Sequence, residues 1–211
     1  MRPRMATAVK ICGITRVQDA LLAAHSGAHA IGLIFYAGSP RLVSRKVARE
    51  VVDVLPAFVT PVALFVNADK REIESVIADV RPGLLQFHGD EAPEVCASFG
   101  LPYIKAAKVQ PGLDLLQYAR RYRSAKGLLL DASVEGSHGG TGSTFDWTLI
   151  PDQLPLPIIL AGGLQHDNVA DAIRRVRPWA VDVSSGVEAA KGIKDAVKIA
   201  AFIRGVRDAD V

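Results

Sequence analysis

Cysteine is scarce in this chain of 211 residues: only Cys12 and Cys96 occur. They stand far apart, with no CxxC and no Cys/His ligand spacing. Neither a disulfide framework nor a metal site is indicated, and a reducing cytoplasm is the expected setting. No run approaches the ~18 uninterrupted apolar residues of a membrane span. The opening Met1-Arg2-Pro3-Arg4-Met5 is not followed by the apolar stretch and cleavage site of an export signal. Neither membrane nor export is therefore expected. Charge of one sign is lacking as well, because 25 Lys and Arg oppose 22 Asp and Glu. The small positive excess is scattered, with local basic clusters only at 120–126 and 174–177, so nucleic acid is not an expected partner. No GxGxxG follows the first apolar run, which removes the simplest dinucleotide-binding reading.

What the chain does contain is alternation. Short apolar, β-branched runs recur at 8–12, 30–35, 61–66, 84–87, 103–106, 127–130, 158–161 and 180–183. Amphipathic segments lie between them at 16–26, 44–55, 69–80, 113–122 and 167–176, with a last one at 193–207. Buried parallel strands alternating with surface helices give this pattern. Ser44, Asp69 and the pair His166-Asp167 supply polar starts for three helices. The sixth link differs: 132–144 is polar and rich in Gly and Ser and reads as a long mobile loop, followed by a short segment at 145–150. Eight βα units without a second composition regime predict one α/β domain over 1–211, a closed (β/α)8 barrel, with 1–7 as an N-terminal extension.

In such a barrel the interior is packed and chemistry collects where strands end and βα loops begin. After the seventh run, Gly162 and Gly163 let backbone N–H groups approach an anion; after the eighth, Ser184 and Ser185 with Gly186 add hydroxyls and amides. Each is a tight turn by itself, but together they predict a phosphate grip. Cys12 ends the first run. A lone cysteine there is either a small buried hydrophobe or a reactive thiol, and Lys10 two residues earlier favours thiolate. Cys96, on a helix facing the core, reads as inert. Asp131 closes the sixth run, either capping a turn or serving as a proton donor, since desolvation favours the protonated carboxyl. Arg41 after Ser39-Pro40 can clamp a carboxylate or lie solvated. His88 reads as a hydrogen-bonding residue or a catalyst, and Asp182 and Glu188 as turn caps.

The motifs in order are KICGIT at 10–15, GLIFY at 32–36 with SPR at 39–41, FVN at 65–67, QFHGDE at 86–91 and LD at 130–131. They continue with GGTG at 139–142 and FDW at 145–147, LAGGL at 160–164, and VDVSSGVE at 181–188. This series resembles the phosphoribosylanthranilate isomerases of tryptophan biosynthesis along nearly the whole chain. The resemblance implies a phosphate-binding barrel that performs an Amadori rearrangement on a small phosphoribosyl substrate without metal or organic cofactor; the chain's size suits a monomer or a homodimer. It also implies roles: Asp131 as general acid, Cys12 as general base, Arg41 holding the anthranilate carboxylate, and Gly162, Gly163, Ser184 and Ser185 holding phosphate. His88 and Asp182 become further residues of the mouth. Phe87, Ala132 and Ser143 depart from the family's usual choices; the first changes packing and the other two concern the sixth loop. Two rivals remain. An aminoimidazole-ribotide-type sugar isomerase would use a carboxylate base where Cys12 stands, and a non-catalytic phosphometabolite-binding barrel would not need Cys12 and Asp131.

Overall fold

Continuous apolar runs require cover on both faces of each strand, and a sheet closed on itself inside a ring of helices supplies it. A computed structural model of the chain describes residues 6–132 and 146–210. Its strands are β1 (Ala8–Cys12), β2 (Ala30–Ile34), β3 (Thr60–Phe65), β4 (Leu84–Phe87), β5 (Tyr103–Val109), β6 (Leu128–Ala132), β7 (Ile158–Leu160) and β8 (Ala180–Val183). All pair in parallel with their sequence neighbours, and β8 closes the barrel on β1 through Ala8↔Ala180 and Lys10↔Asp182. The expected extension at 1–5, and the sixth-loop features at 133–145 including GGTG, Ser143 and Phe145, lie outside the described residues.

Period-two alternation sorts the side chains. Inward positions of the lower barrel, among them Ile104, Ala106, Leu129, Ile159, Ala161 and Ala180, form one apolar cluster. Outward positions such as Ile11, Leu33, Phe65, Leu85, Leu160 and Val181 pack beneath the helices in the largest cluster. Phe87 is one of these. Its ring lies 6.3 Å from Phe65, 6.0 Å from Phe99 and 5.8 Å from Tyr103, so this departure is absorbed by packing outside the barrel.

The helices are α1 (Val17–Ser26), α2 (Arg45–Val54), α3 (Lys70–Val80), α4 (Pro93–Cys96), α5 (Leu115–Arg121), α6 (Val169–Val176) and α7 (Ala196–Asp210). Ser44 and Asp69 cap α2 and α3 as expected, accepting from the amides of Val47 and Glu72. His166-Asp167 does not start α6. Asn168 precedes it, and its Oδ1 instead accepts from the Gln165 amide, fastening the preceding turn. The last predicted helix starts too early at 193: Glu188–Ala190 (β9) and Ile193–Lys194 (β10) form a small antiparallel hairpin, and Asp195 then accepts from the amides of Val197 and Lys198 to launch α7. β5 runs to Val109 rather than 106, and Asp131 lies inside β6, paired with Lys108, rather than just beyond it. Thr7, counted with the extension, is buried and hydrogen bonded through both N and Oγ1 to Asp210, tying the first strand to the last helix.

Candidate active site

At the C-terminal end of the strands the inward positions change from apolar to polar. The alternation that aims Ala8 into the barrel aims Lys10 and Cys12 after it, and likewise places Gln86 with His88, Leu129 with Asp131, and Asp182 with Ser184. Of these, Cys12, Gln86, His88, Asp131, Asp182 and Ser184 line one open cavity, together with Arg41, Gly162, Gly163 and Ser185. Every predicted site residue is thus brought to the same mouth, Cys12 from β1 and Asp131 from β6.

Cys12 is buried, walled by Ile34, Leu64 and Val66. Burial pushes its thiol pKa up, and the Lys10 ammonium only partly opposes this. Lys10 favours thiolate as expected, but its effect does not prevail. Desolvation is the larger effect, and Lys10 is itself engaged by Asp182, 2.9 Å from Nζ, whose negative charge also disfavours thiolate. Gly32 on the neighbouring strand makes room for this group. A Cβ there would come 2.6 Å from Cys12 Sγ and 3.1 Å from Lys10 Nζ, so only glycine fits beneath the thiol.

Asp131 Oδ2 lies 3.1 Å from His88 Nε2, and His88 Nδ1 lies 3.0 Å from Gln86 Nε2. All three residues are buried. Cys96 is remote from this cavity. Its thiol is pushed up to about 12 by burial and directs Sγ at the Glu91 carbonyl, 3.8 Å away, in keeping with an inert core cysteine.

The expected phosphate grip would rest on backbone shape. Gly162 and Gly163 adopt φ of 80° and 63°, a left-handed pair that turns the chain sharply after β7, and Asn168 Nδ2 donates to the Gly163 carbonyl to hold the turn. Opposite them, Ser185–Val187 forms a single 3-10 turn. Ser184 Oγ is buried at the cavity and meets no hydrogen-bond partner among the described residues. A buried hydroxyl left so costs about 1–3 kcal/mol, which an anion accepting its proton would offset.

Two assignments change in character. Arg41 is not a solvated side chain: its Nε and Nη2 lie 2.7 and 2.8 Å from the two carboxylate oxygens of Glu188. Glu188 does more than cap a turn: its Oε1 accepts from the Gly192 amide at 3.3 Å and also receives Lys194 Nζ at 2.9 Å. Burial alone would raise the Glu188 pKa, yet hydrogen bonds and charge from Arg41 and Lys194 hold it below the ordinary carboxylate value. Lys194 donates further to the Ser184 carbonyl at 3.0 Å, so one ionic cluster fixes both Arg41 and the Ser184 turn. Sequence reasoning missed Lys194, Gln86 and Gly32. For Gln86 and Gly32 a signal existed: Gln86 stands two residues before His88, and Gly32 interrupts an otherwise apolar strand. For Lys194 none did, because its role depends on the β9–β10 hairpin. Among the described residues no group of three or more His, Cys, Asp or Glu could hold a metal ion, and no helix is long and apolar enough to cross a membrane.

The family model of N-(5'-phosphoribosyl)anthranilate (PRA) isomerase matches residues 9–205. The N-(5'-phosphoribosyl)anthranilate isomerase of Nitrosospira multiformis is 59% identical over 202 residues, covering 96% of this chain and 97% of its own. The crystal structure of phosphoribosyl anthranilate isomerase from Thermotoga maritima superposes with a TM-score of 0.88 at 41% identity, over 96% of this chain and 99% of that one. A phosphoribosyl anthranilate isomerase in complex with reduced 1-(o-carboxyphenylamino)-1-deoxyribulose 5-phosphate gives 0.85 at 40% identity, with the same coverage. The polar mouth at the C-terminal end of this barrel and the match along nearly its whole length lead to one conclusion: the chain belongs to the N-(5'-phosphoribosyl)anthranilate isomerase family.

Proposed function

We propose that this enzyme carries out its family's isomerisation, the Amadori rearrangement of N-(5'-phosphoribosyl)anthranilate to 1-(2-carboxyphenylamino)-1-deoxyribulose 5-phosphate in tryptophan biosynthesis, with Asp131 as general acid and Cys12 as general base. The observation that carries this division of roles is that a carboxyl and a thiol, from β6 and β1, line one cavity. Asp131 protonates the furanose ring oxygen; the C1'–O bond breaks and the anilino nitrogen lone pair forms a protonated Schiff base. The cationic imine makes the C2' hydrogen acidic, and Cys12 thiolate removes it, giving an enolamine. Loss of a proton from the C2' hydroxyl and gain of one at C1' then give the ketone. In net terms these two transfers return Asp131 and Cys12 to their starting states.

Because burial holds the Cys12 thiol up, Lys10 serves to offset that cost for the thiolate. Arg41, with Nε and Nη2 engaged by Glu188, offers Nη1 to the anthranilate carboxylate. The Gly162-Gly163 turn and the Ser184 and Ser185 hydroxyls hold the phosphate and thereby aim C2' at the thiol. Asp182 acts through Lys10. Every residue in this scheme comes from one chain, so monomer and homodimer alike contain a complete site. We place the enzyme in the cytoplasm, where a thiol base stays reduced.

The test is turnover of phosphoribosylanthranilate, followed spectroscopically, for wild type, Cys12→Ala and Asp131→Ala. Each variant is expected to lose about 10²- to 10⁴-fold in kcat while still binding the reduced product analogue. An inactive wild type, or two variants with near-full rate, would refute the assignment. Ser184→Asp is expected mainly to raise KM by repelling phosphate; an unchanged KM would place the phosphate elsewhere.

A further inference from the structure

We infer that Gln86 is a positioning residue for the general acid: it holds His88 in the tautomer that carries its hydrogen on Nε2, so that the imidazole donates to Asp131 as Asp131 gives up its proton. The inference rests on the reading of Asp131 as the acid.

Its basis is a chain of two hydrogen bonds. Gln86 is fully buried, on β4, and points inward with His88 because the two residues are one strand period apart. Its Nε2 lies 3.0 Å from His88 Nδ1. An amide nitrogen can only donate, so Nδ1 must offer its lone pair, and a neutral imidazole then has its single hydrogen on Nε2. Nε2 lies 3.1 Å from Asp131 Oδ2. No proton needs to pass along this chain. When the Asp131 proton moves to the ring oxygen, the new carboxylate meets an N–H donor already in place, and the charge-assisted bond is stronger than the one the neutral carboxyl accepts.

The other end of the amide strengthens the point. Gln86 Oε1 is buried and finds no donor among the described residues. A leucine would fill the same space without an unsatisfied oxygen, and what the amide adds in return is the bond to His88. The opposite tautomer would present a lone pair from Nε2 to the Asp131 oxygen, so the carboxylate formed in the first step would face an acceptor instead of a donor.

The test reads the tautomer and the rate separately. Imidazole nitrogen shifts from ¹⁵N NMR of the wild-type enzyme at neutral pH, with the His88 signals identified by their loss in His88→Asn, are expected to show Nε2–H. Gln86→Glu keeps the shape but replaces the donor by an acceptor; His88 should gain a hydrogen on Nδ1, and kcat should fall about a hundredfold with KM little changed. Gln86→Met removes the donor without adding charge and should lower kcat in the same sense. In a His88→Ala background neither substitution should lower kcat further, because two residues acting through one bond are not additive. A wild-type enzyme with Nδ1–H, or a Gln86→Glu enzyme whose tautomer changes while kcat does not, overturns the inference. Near-full activity of Asp131→Ala would instead refute the acid assignment beneath it, and an Nε2–H signal alongside that result would tell the two failures apart.

Discussion

In the proposed reaction two groups decide the chemistry at the scale of the residue, and their surroundings pull them in ways that sequence shows only in part. Cys12 and Asp131 could be singled out because both close apolar runs. That Lys10 is neutralised by Asp182 could not be, since the two are 172 residues apart and meet only when β8 closes on β1. The consequence is a prediction about pH. A thiol pushed up by burial stays neutral to higher pH, so a rate that needs thiolate climbs as pH rises through that value. The climb in kcat/KM is expected to have its midpoint above the ordinary cysteine value of about 8.5, and to be absent from the residual rate of Cys12→Ala. A climb centred well below that value would show that Lys10 outweighs desolvation in the free enzyme. Gly32→Ala offers a second check at this scale. The added Cβ meets Cys12 Sγ at 2.6 Å and must displace it. A shift near 1 Å in a reacting group costs about 10²-fold, so a loss of that order in kcat is expected in steady-state assays, with the phosphate site and KM largely spared.

Elements hold these residues in place, and here legibility followed burial. β1, β4 and β8 have the bounds that their apolar runs indicate, because a strand covered on both faces leaves little choice of residue. The sequence pattern places β10 of the β9–β10 hairpin in the last helix, which it expects from 193. Its strands are only three and two residues long, too short for any period to show. Yet that hairpin delivers Lys194 to Glu188, and Glu188 to Arg41. Glu188→Ala would leave two cations without their carboxylate, and breaking a buried pair costs about 3–5 kcal/mol. A Tm lower by about 10 °C is expected in calorimetry. Acid should act on the same cluster. The folded-state pKa of Glu188 is depressed, so its contribution is complete above the unfolded carboxylate value near 4.3 and is lost as pH falls through the lower folded value. Between wild type and Glu188→Gln the stability difference should therefore shrink below about pH 4. A gap that stays constant into strong acid would mean that the cluster contributes no net electrostatic stability.

For the molecule as a whole, closure is the governing fact. The barrel has no edge: β1 and β8 pair along their length, and Thr7 binds Asp210 across 203 positions of sequence. Removing any one unit would expose two edges at once. We therefore expect the chain to unfold as one domain, with tryptophan fluorescence and far-UV circular dichroism following the same urea transition; separated transitions would indicate two units. The eightfold alternation made this architecture legible from the start. The same closure brings the proposed acid and base to one mouth from strands far apart in sequence, and the order in which they act is the central claim. It is tested most directly with substrate deuterated at C2', comparing kcat for Cys12→Ser and Asp131→Asn. If Cys12 removes the C2' hydrogen after Asp131 opens the ring, the weakened base makes that step limiting and deuterium slows Cys12→Ser, whereas the weakened acid makes ring opening limiting and deuterium leaves Asp131→Asn unchanged. An isotope effect confined to Asp131→Asn, or absent from Cys12→Ser, would contradict it.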